Sequence, residues 1–254
     1  MQPITEIKQD VFELYRAGQY DQALDTLEPV LRAHPNEGRL WELCGVIHRA
    51  MSNCPPCLHA LETATTLVPL SFTAQCALAD CYAYTGRTEL ASDIYSHLKK
   101  QITSLPLDLL KNLAIGFESL GDIESALEVS REAAFLQPTS AEHRYATAYF
   151  MAQLGSPTES VTDWAQEAVR LDPDRAQYRI GLSGLMQTAG RIDEAYECVS
   201  VLTQQELKTV PCGKCLERLA QLFQTLEDAP RETTCRSEIK RRIDHGELED
   251  CGGC

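Results

Sequence analysis

The sequence predicts an all-α fold, an α-solenoid built from antiparallel helix pairs. Two observations lead to this prediction: small or compact residues recur at a nearly constant interval, and glycine and proline keep the same interval. A period of about 20 to 50 residues is typical of repeat architectures, and it decides the fold class before any motif is considered. The small or compact residues are Ala23, Cys57, Ala91, Ala126, Val161 and Ala195, at steps of 34, 34, 35, 35 and 34 residues.

Glycine and proline mark the helix ends within each unit. Glycine is expected to end the first helix, because the residue there adopts a left-handed conformation that other residues reach only with a steric penalty. Proline is expected to stop the second helix, and the small residue lies where the two helices cross most closely. The residues in these roles are Gly18, Gly86, Gly121, Gly155 and Gly190, and Pro35, Pro69, Pro138 and Pro173.

The units also share a longer pattern. Tetratricopeptide repeats follow Trp-x2-Leu-Gly-x2-Tyr, then Ala-x3-Phe, then Pro, over about 34 residues. The second unit supplies Trp41, Cys44, Gly45, Cys57, Leu61 and Pro69, and the third supplies Leu78, Ala79, Tyr82, Gly86, Ala91 and Tyr95. The chain therefore resembles a tetratricopeptide-repeat protein with six units over residues 1–208, which implies a right-handed superhelical array. The second unit departs from the pattern at Ser52, where glycine is usual.

Residues 209–254 are predicted to form a C-terminal segment that caps the array. Apolar spacing predicts one more helix pair, over residues 215–226 and 230–245, with Cys235, Ile239 and Ile243 on the core face of its second helix. The basic run at 240–242 is expected to be solvated at the last turn of that helix, where cations interact favourably with the helix dipole.

Four cysteines flank this helix pair and predict a structural zinc site. They form two C-x2-C pairs separated by 35 residues, and an antiparallel hairpin returns its end to its beginning, so the two pairs can meet around one ion. Four thiolates bind Zn²⁺ tetrahedrally and leave no open position for catalysis. Disulfides, a redox pair, no joint role, or His245 in place of one ligand remain alternatives. The predicted ligands are Cys212, Cys215, Cys251 and Cys254.

The other cysteines are mostly expected to be buried thiols, because free cysteine is among the most buried residue types. This interpretation covers Cys44, Cys57, Cys81, Cys198 and Cys235. Cys54 and Cys57 also form a C-x2-C pair, at the start of a helix. Packing explains this pair, and redox chemistry is its main competitor because a helix N-terminus lowers a thiol pKa.

Charge and motif content exclude several classes of function. The formal net charge of −14 disfavours nucleic acid and anionic membranes as partners. No apolar stretch is long enough to cross a bilayer and the first residues do not resemble a secretory signal, so the cytoplasm is the expected compartment. Phosphate-binding loops and catalytic motifs are missing from the sequence, which predicts a protein that is not an enzyme.

The family resemblance implies that the first helices of the units bind a protein or peptide segment on a concave face. Lys8 fits the family's clamp for chaperone C-terminal carboxylates but Phe12 does not, so that ligand class is disfavoured. The mixed, partly apolar face favours an extended or helical segment with aliphatic anchors. The leading hypothesis is a non-enzymatic interaction scaffold, and the alternative is a thiol redox or metal-handling protein. The predicted groove residues are Lys8, Phe12, Val46, Arg49, Asp80, Lys111, Ile115, Tyr145 and Tyr149.

Overall fold

A computed structural model describes residues 3–247 of the chain. These residues form fifteen α-helices and one short 3-10 helix, with no strand among them, which confirms the all-α prediction. The first twelve helices form six consecutive pairs: α1 (Ile4–Arg16) and α2 (Tyr20–Ala33), α3 (Gly38–Ala50) and α4 (Cys54–Leu67), α5 (Phe72–Tyr84) and α6 (Thr88–Lys99), α7 (Leu107–Ser119) and α8 (Ile123–Leu136), α9 (Ala141–Gln153) and α10 (Thr158–Leu171), α11 (Ala176–Thr188) and α12 (Ile192–Val199). They are followed by α13 (Gln204–Lys208), α14 (Gly213–Thr225) and α15 (Ala229–His245), and the 3-10 helix spans Ile102–Ser104.

The turns between paired helices use the backbone conformation that the glycine spacing predicts. The five predicted glycines all adopt a left-handed conformation, with φ between +68° and +78°. Ser52 replaces glycine after α3 and nevertheless has a φ of +56°, so the turn keeps its shape despite the steric penalty. The six small or compact residues at the predicted helix crossings are all buried, as expected for positions of close approach. Sequence spacing therefore predicts both the turns and the helix contacts.

The chain divides into two compact units, residues 1–129 and 130–254, and the boundary lies inside α8. In the first unit α1 packs on α2, α3 on α4 and α5 on α6, and the second helix of each of these pairs packs on the first helix of the next pair. The first helices α1, α3, α5 and α7 also pack side by side and form one layer. This layer carries the predicted groove residues of the unit.

In the second unit, α9 packs on α10, α11 on α12, and α14 on α15. The short helix α13 was not predicted. A capping box begins it: the Thr203 hydroxyl accepts a hydrogen bond from the Glu206 amide at 3.2 Å, and the Glu206 carboxylate accepts one from the Thr203 amide at 2.7 Å. Helix α13 packs against α15. The predicted domain boundary after residue 208 coincides with the end of α13 and stays a prediction.

The C-terminal helix pair has the predicted location, but two predictions about α15 were wrong. Ile243 is 59% exposed, whereas Arg242, in the run expected to be solvated, is buried. Arg242 donates hydrogen bonds from its two terminal nitrogens to the carbonyl oxygens of Lys208 and Pro211, both at 2.9 Å. Its Nε also donates to the buried carboxylate of Glu238 at 2.7 Å. The side chain of Arg242 therefore points inward because it donates to these carbonyl groups, and the neighbouring Ile243 faces outward.

Candidate functional site

Seven of the nine predicted groove residues lie on the first-helix layer of the first unit. Because α1, α3, α5 and α7 are adjacent in this layer, residues at corresponding positions of successive helices come side by side. These residues are Lys8 and Phe12 on α1, Val46 and Arg49 on α3, Asp80 on α5, and Lys111 and Ile115 on α7.

Large apolar side chains of this layer are open to solvent. Phe12 is 46% exposed and Ile115 is 48% exposed, while Val46 is half-buried. The guanidinium group of Arg16 lies 5.9 Å from the centre of the Phe12 ring. Isolated exposed apolar residues are common, and here two large ones lie on the same helix layer.

Three of the charged groove residues form ion pairs within the chain. Arg49 Nη2 lies 2.8 Å from Asp80 Oδ2, and the Tyr95 hydroxyl donates to the other oxygen of Asp80 at 2.6 Å. Lys8 Nζ lies 3.4 Å from a carboxylate oxygen of Glu37. Arg49 and Asp80 form an ion pair between the first helices α3 and α5, and their predicted role in binding a partner stays a prediction.

Tyr95 supports this ion pair and was missed by sequence reasoning. It lies on the second helix α6, its side chain is fully buried, and only its hydroxyl reaches the groove layer. Burial, assisted by the nearby negative charge of Asp80, raises the pKa of this hydroxyl, so it remains a hydrogen-bond donor. Tyr95 matches the aromatic position of the repeat pattern, which signals packing and gives no indication of a polar contact.

In the second unit, Tyr145 and Tyr149 both lie on α9 and are half-buried. The Tyr145 ring stacks on that of Tyr178, with ring centres 4.7 Å apart. Burial, with a smaller contribution from the neighbouring Cys215, raises the pKa of the Tyr145 hydroxyl to about 12. Tyr145 therefore packs within this unit more than it faces solvent.

Arg218 is a further residue of the first helices that was not predicted. It lies on α14, and its Nη2 donates to the carbonyl oxygen of Gly184 on α11 at 2.6 Å. The signal was present in the sequence, since Arg218 follows Gly184 by 218 − 184 = 34 residues, one period of the repeat. Extending the period into α14 would have found it.

The cysteines of the first unit are buried in its core. Cys44, Cys57 and Cys81 are buried as predicted, and Cys54 is buried beside them. The Cys54 thiol lies 3.7 Å from the carbonyl oxygen of Cys81, and burial, followed by a hydrogen bond with the Cys81 side chain, raises the pKa of Cys54 to about 11. This direction is opposite to the one that redox chemistry at Cys54 and Cys57 would require. In the second unit Cys235 is buried, and Cys198 is half-buried.

The predicted zinc ligands are only partly within the described residues. Cys212 is buried at the N-cap of α14 and forms a disulfide bond, and Cys215 is half-buried. Cys251 and Cys254 lie outside the described residues. Within residues 3–247 no three histidine, cysteine or carboxylate side chains are arranged to hold a metal ion. His245, the alternative ligand, forms a hydrogen bond through Nδ1 to the carbonyl oxygen of Arg241 at 2.7 Å.

The repeat geometry agrees with a match to a known family. A family model of the tetratricopeptide repeat matches residues 13–51 and 112–176. These two segments of the chain carry tetratricopeptide repeats. The matched segments include helices from both compact units, and the glycine turns and small crossing residues give these repeats their helix pairing.

Solved structures support the same fold for the tetratricopeptide repeats of this chain. PilF of Pseudomonas aeruginosa has a TM-score of 0.66 at 16% identity, covering 80% of this chain and 90% of that one. The C-terminal part of a repeat protein from Cytophaga hutchinsonii has a TM-score of 0.65 at 12% identity, covering 91% and 93%. A repeat protein from Parabacteroides merdae has a TM-score of 0.64 at 15% identity, covering 93% and 92%. At such identities the likeness shows the fold alone.

No curated protein matches the sequence significantly. None of the helices within residues 3–247 combines the length and the apolar character that a membrane crossing requires.

Proposed function

We propose that this chain is a non-enzymatic scaffold that binds an apolar segment of a protein partner on the first-helix layer of its first unit. The tetratricopeptide fold supports a role in protein interaction. The observation that carries the proposal is the exposure of Phe12 and Ile115 on α1 and α7, the two outer helices of that layer.

The pairing of charges supports an apolar ligand over a charged one. Arg49 and Asp80 already satisfy each other, and Lys8 contacts Glu37. A ligand carboxylate would have to replace these partners, and removing one member of a charge pair is costly when the other stays partly buried. An aliphatic or aromatic anchor gains affinity by covering Phe12 and Ile115 without disturbing either pair.

The proposal can be tested without knowing the natural partner. Peptides selected from a random displayed library with the intact chain as bait are expected to be rich in aliphatic or aromatic residues. Phe12→Ser and Ile115→Ser should each weaken binding of a selected peptide by about tenfold or more, because losing a large apolar contact costs about 1.5–3 kcal/mol. Fluorescence anisotropy of the labelled peptide measures the dissociation constants.

A matched control is available on a second helix. Phe135 lies on α8 and is 76% exposed, so Phe135→Ser removes a similar apolar area outside the first-helix layer. Binding by this variant should equal that of the unchanged chain. Equal weakening by Phe135→Ser, or unchanged binding by both groove variants, would refute the proposed site.

We further propose that the two C-x2-C pairs bind a structural zinc ion when all four thiols are reduced, as in the cytoplasm. The ligands would be Cys212, Cys215, Cys251 and Cys254. The contact of Arg242 with Pro211 supports this arrangement, because it places the last turns of α15 beside the residue that precedes Cys212. The disulfide at Cys212 represents the oxidised alternative.

Metal analysis separates these alternatives. The chain is purified under strong reducing conditions without added metal, and zinc is then measured by elemental analysis. One zinc ion per chain is expected, and Cys215→Ser should release it, whereas Cys235→Ser, which changes a buried cysteine outside the pairs, should retain it. A reduced, folded chain that holds no zinc after equilibration with the metal would overturn the zinc proposal and leave the interaction surface untouched.

A further inference from the structure

A groove of about 400 Å³ lies on the surface between α14 and α15 of the second unit. Its lining is mostly apolar, with Ala220, Ile239 and Ile243, and it also includes the charged residues Glu217, Arg236 and Lys240. No other helix of the described residues lines it. Glu217 and Ala220 lie on α14, and Ile239, Lys240 and Ile243 lie on α15.

The outward position of Ile243 has a structural cause. The preceding residue, Arg242, points inward to bind the carbonyls of Lys208 and Pro211. Ile243, about 100° further around the helix, is therefore directed to solvent and is 59% exposed. Exposing a β-branched apolar residue at the edge of an apolar groove is unfavourable in water, and a protein surface that covers it would remove this cost.

The charges at the edges of the groove make it complementary to itself. Arg236 donates to the side chain of Gln224 at 3.0 Å, which fixes how the two antiparallel helices are aligned. In this alignment Glu217 lies on the α14 edge, while Lys240 lies on the α15 edge, toward the end of the groove that Ile243 lines. One edge is therefore acidic and the other basic.

We propose that this groove is the contact surface of a homodimer. A two-fold axis parallel to the groove places α14 of each copy over α15 of its partner, and each Glu217 then faces a lysine at position 240 of the other copy. The same operation brings the two Ile243 side chains together over the apolar lining, as an isologous interface requires. The occupant is thus a second copy of the chain, and the surface is separate from the proposed ligand groove.

Sedimentation velocity of the full chain over a range of concentrations tests the proposal. The unchanged chain should show a monomer–dimer equilibrium, and Ile243→Asp should weaken the dimer at least tenfold, because it places two carboxylates in the apolar contact. Val201→Asp is the matched control, since Val201 is 60% exposed and lies outside the groove. This control should dimerise like the unchanged chain.

Exchanging the charges at positions 217 and 240 distinguishes a weaker dimer contact from a variant that fails to fold. Glu217→Lys should weaken the dimer, since lysine then faces lysine, and the double variant Glu217→Lys with Lys240→Glu should restore it. A chain that is monomeric at every concentration tested overturns the proposal. A dimer that Ile243→Asp and Glu217→Lys leave unchanged overturns it as well, because the copies would then meet through another surface.

Discussion

Arg242→Met is expected to lower the free energy of unfolding by about 3 to 5 kcal/mol. Arg242 is a buried charge that binds three groups: the Glu238 carboxylate and the carbonyl oxygens of Lys208 and Pro211. Methionine has a similar volume but no donor, so the variant leaves Glu238 with less compensation and both carbonyls without this partner. Urea denaturation followed by circular dichroism measures the loss.

Arg241→Met is the matched control for this prediction. Arg241 pairs with the same Glu238 carboxylate at 2.9 Å, yet its own side chain is largely exposed. Water screens the exposed guanidinium of Arg241, so this variant should lose clearly less stability than Arg242→Met, although Arg241 also lowers the pKa of Glu238. If the two variants lost the same stability, the buried contacts of Arg242 would not be responsible for the effect.

The acid dependence of the first variant follows from the same contacts. Hydrogen bonds from Arg241, then from Arg242, lower the pKa of Glu238 from 4.5 to about 2. A carboxyl group with a lowered folded-state pKa stabilises the fold above its unfolded pKa, and this contribution is lost as the pH falls through the folded pKa. The difference between the unchanged chain and Arg242→Met should therefore be largest near neutral pH and shrink between about pH 4 and pH 2. A difference independent of pH would show that Glu238 is not involved.

The sequence predicted the repeat because its cause is local. A left-handed turn needs glycine and a close helix crossing needs a small residue, so both leave a periodic signal such as Gly86 and Ala91. Even Ser52 keeps the turn, which shows that packing of α3 on α4 can hold a residue in a strained conformation. Turns and helix crossings are thus predictable, because each of them requires one type of residue at a fixed position of the repeat.

The contacts of the candidate sites were less predictable because polar residues have several roles. Arg242 is in a basic run, and hydrophobic periodicity treats such residues as exposed, although its long side chain can carry its charge to buried carbonyls. The five-residue helix α13 is too short to show a period and depends on its capping box. Arg49 and Asp80 were predicted on neighbouring helices of the groove, but spacing alone did not indicate that they bind each other.

A second large effect is expected from Gly116→Val on α7. A Cβ atom at Gly116 would lie only 2.5 Å from ring atoms of Tyr95, which is fully buried and cannot move aside freely. The new side chain must displace the ring, and the Tyr95 hydroxyl would then lose its hydrogen bond to Asp80. Overpacking of this kind costs about 1–3 kcal/mol, and the lost hydrogen bond adds about 1 kcal/mol. Urea denaturation measures the sum.

Gly184→Val on α11 separates this clash from the general effect of replacing a helical glycine. A Cβ atom at Gly184 would meet the guanidinium end of Arg218 at 2.7 Å, and a flexible side chain can swing away from it. Moving Arg218 also breaks its hydrogen bond to the Gly184 carbonyl, so the control should lose about 1 kcal/mol and avoid the overpacking cost expected at Gly116. Adding Tyr95→Leu to Gly116→Val removes the ring that the valine meets, so the double variant should lose less stability than the two single losses added together. Simple additivity would mean that Gly116 and Tyr95 do not contact each other as described, and the support that Tyr95 gives to the Arg49–Asp80 pair would then need another explanation.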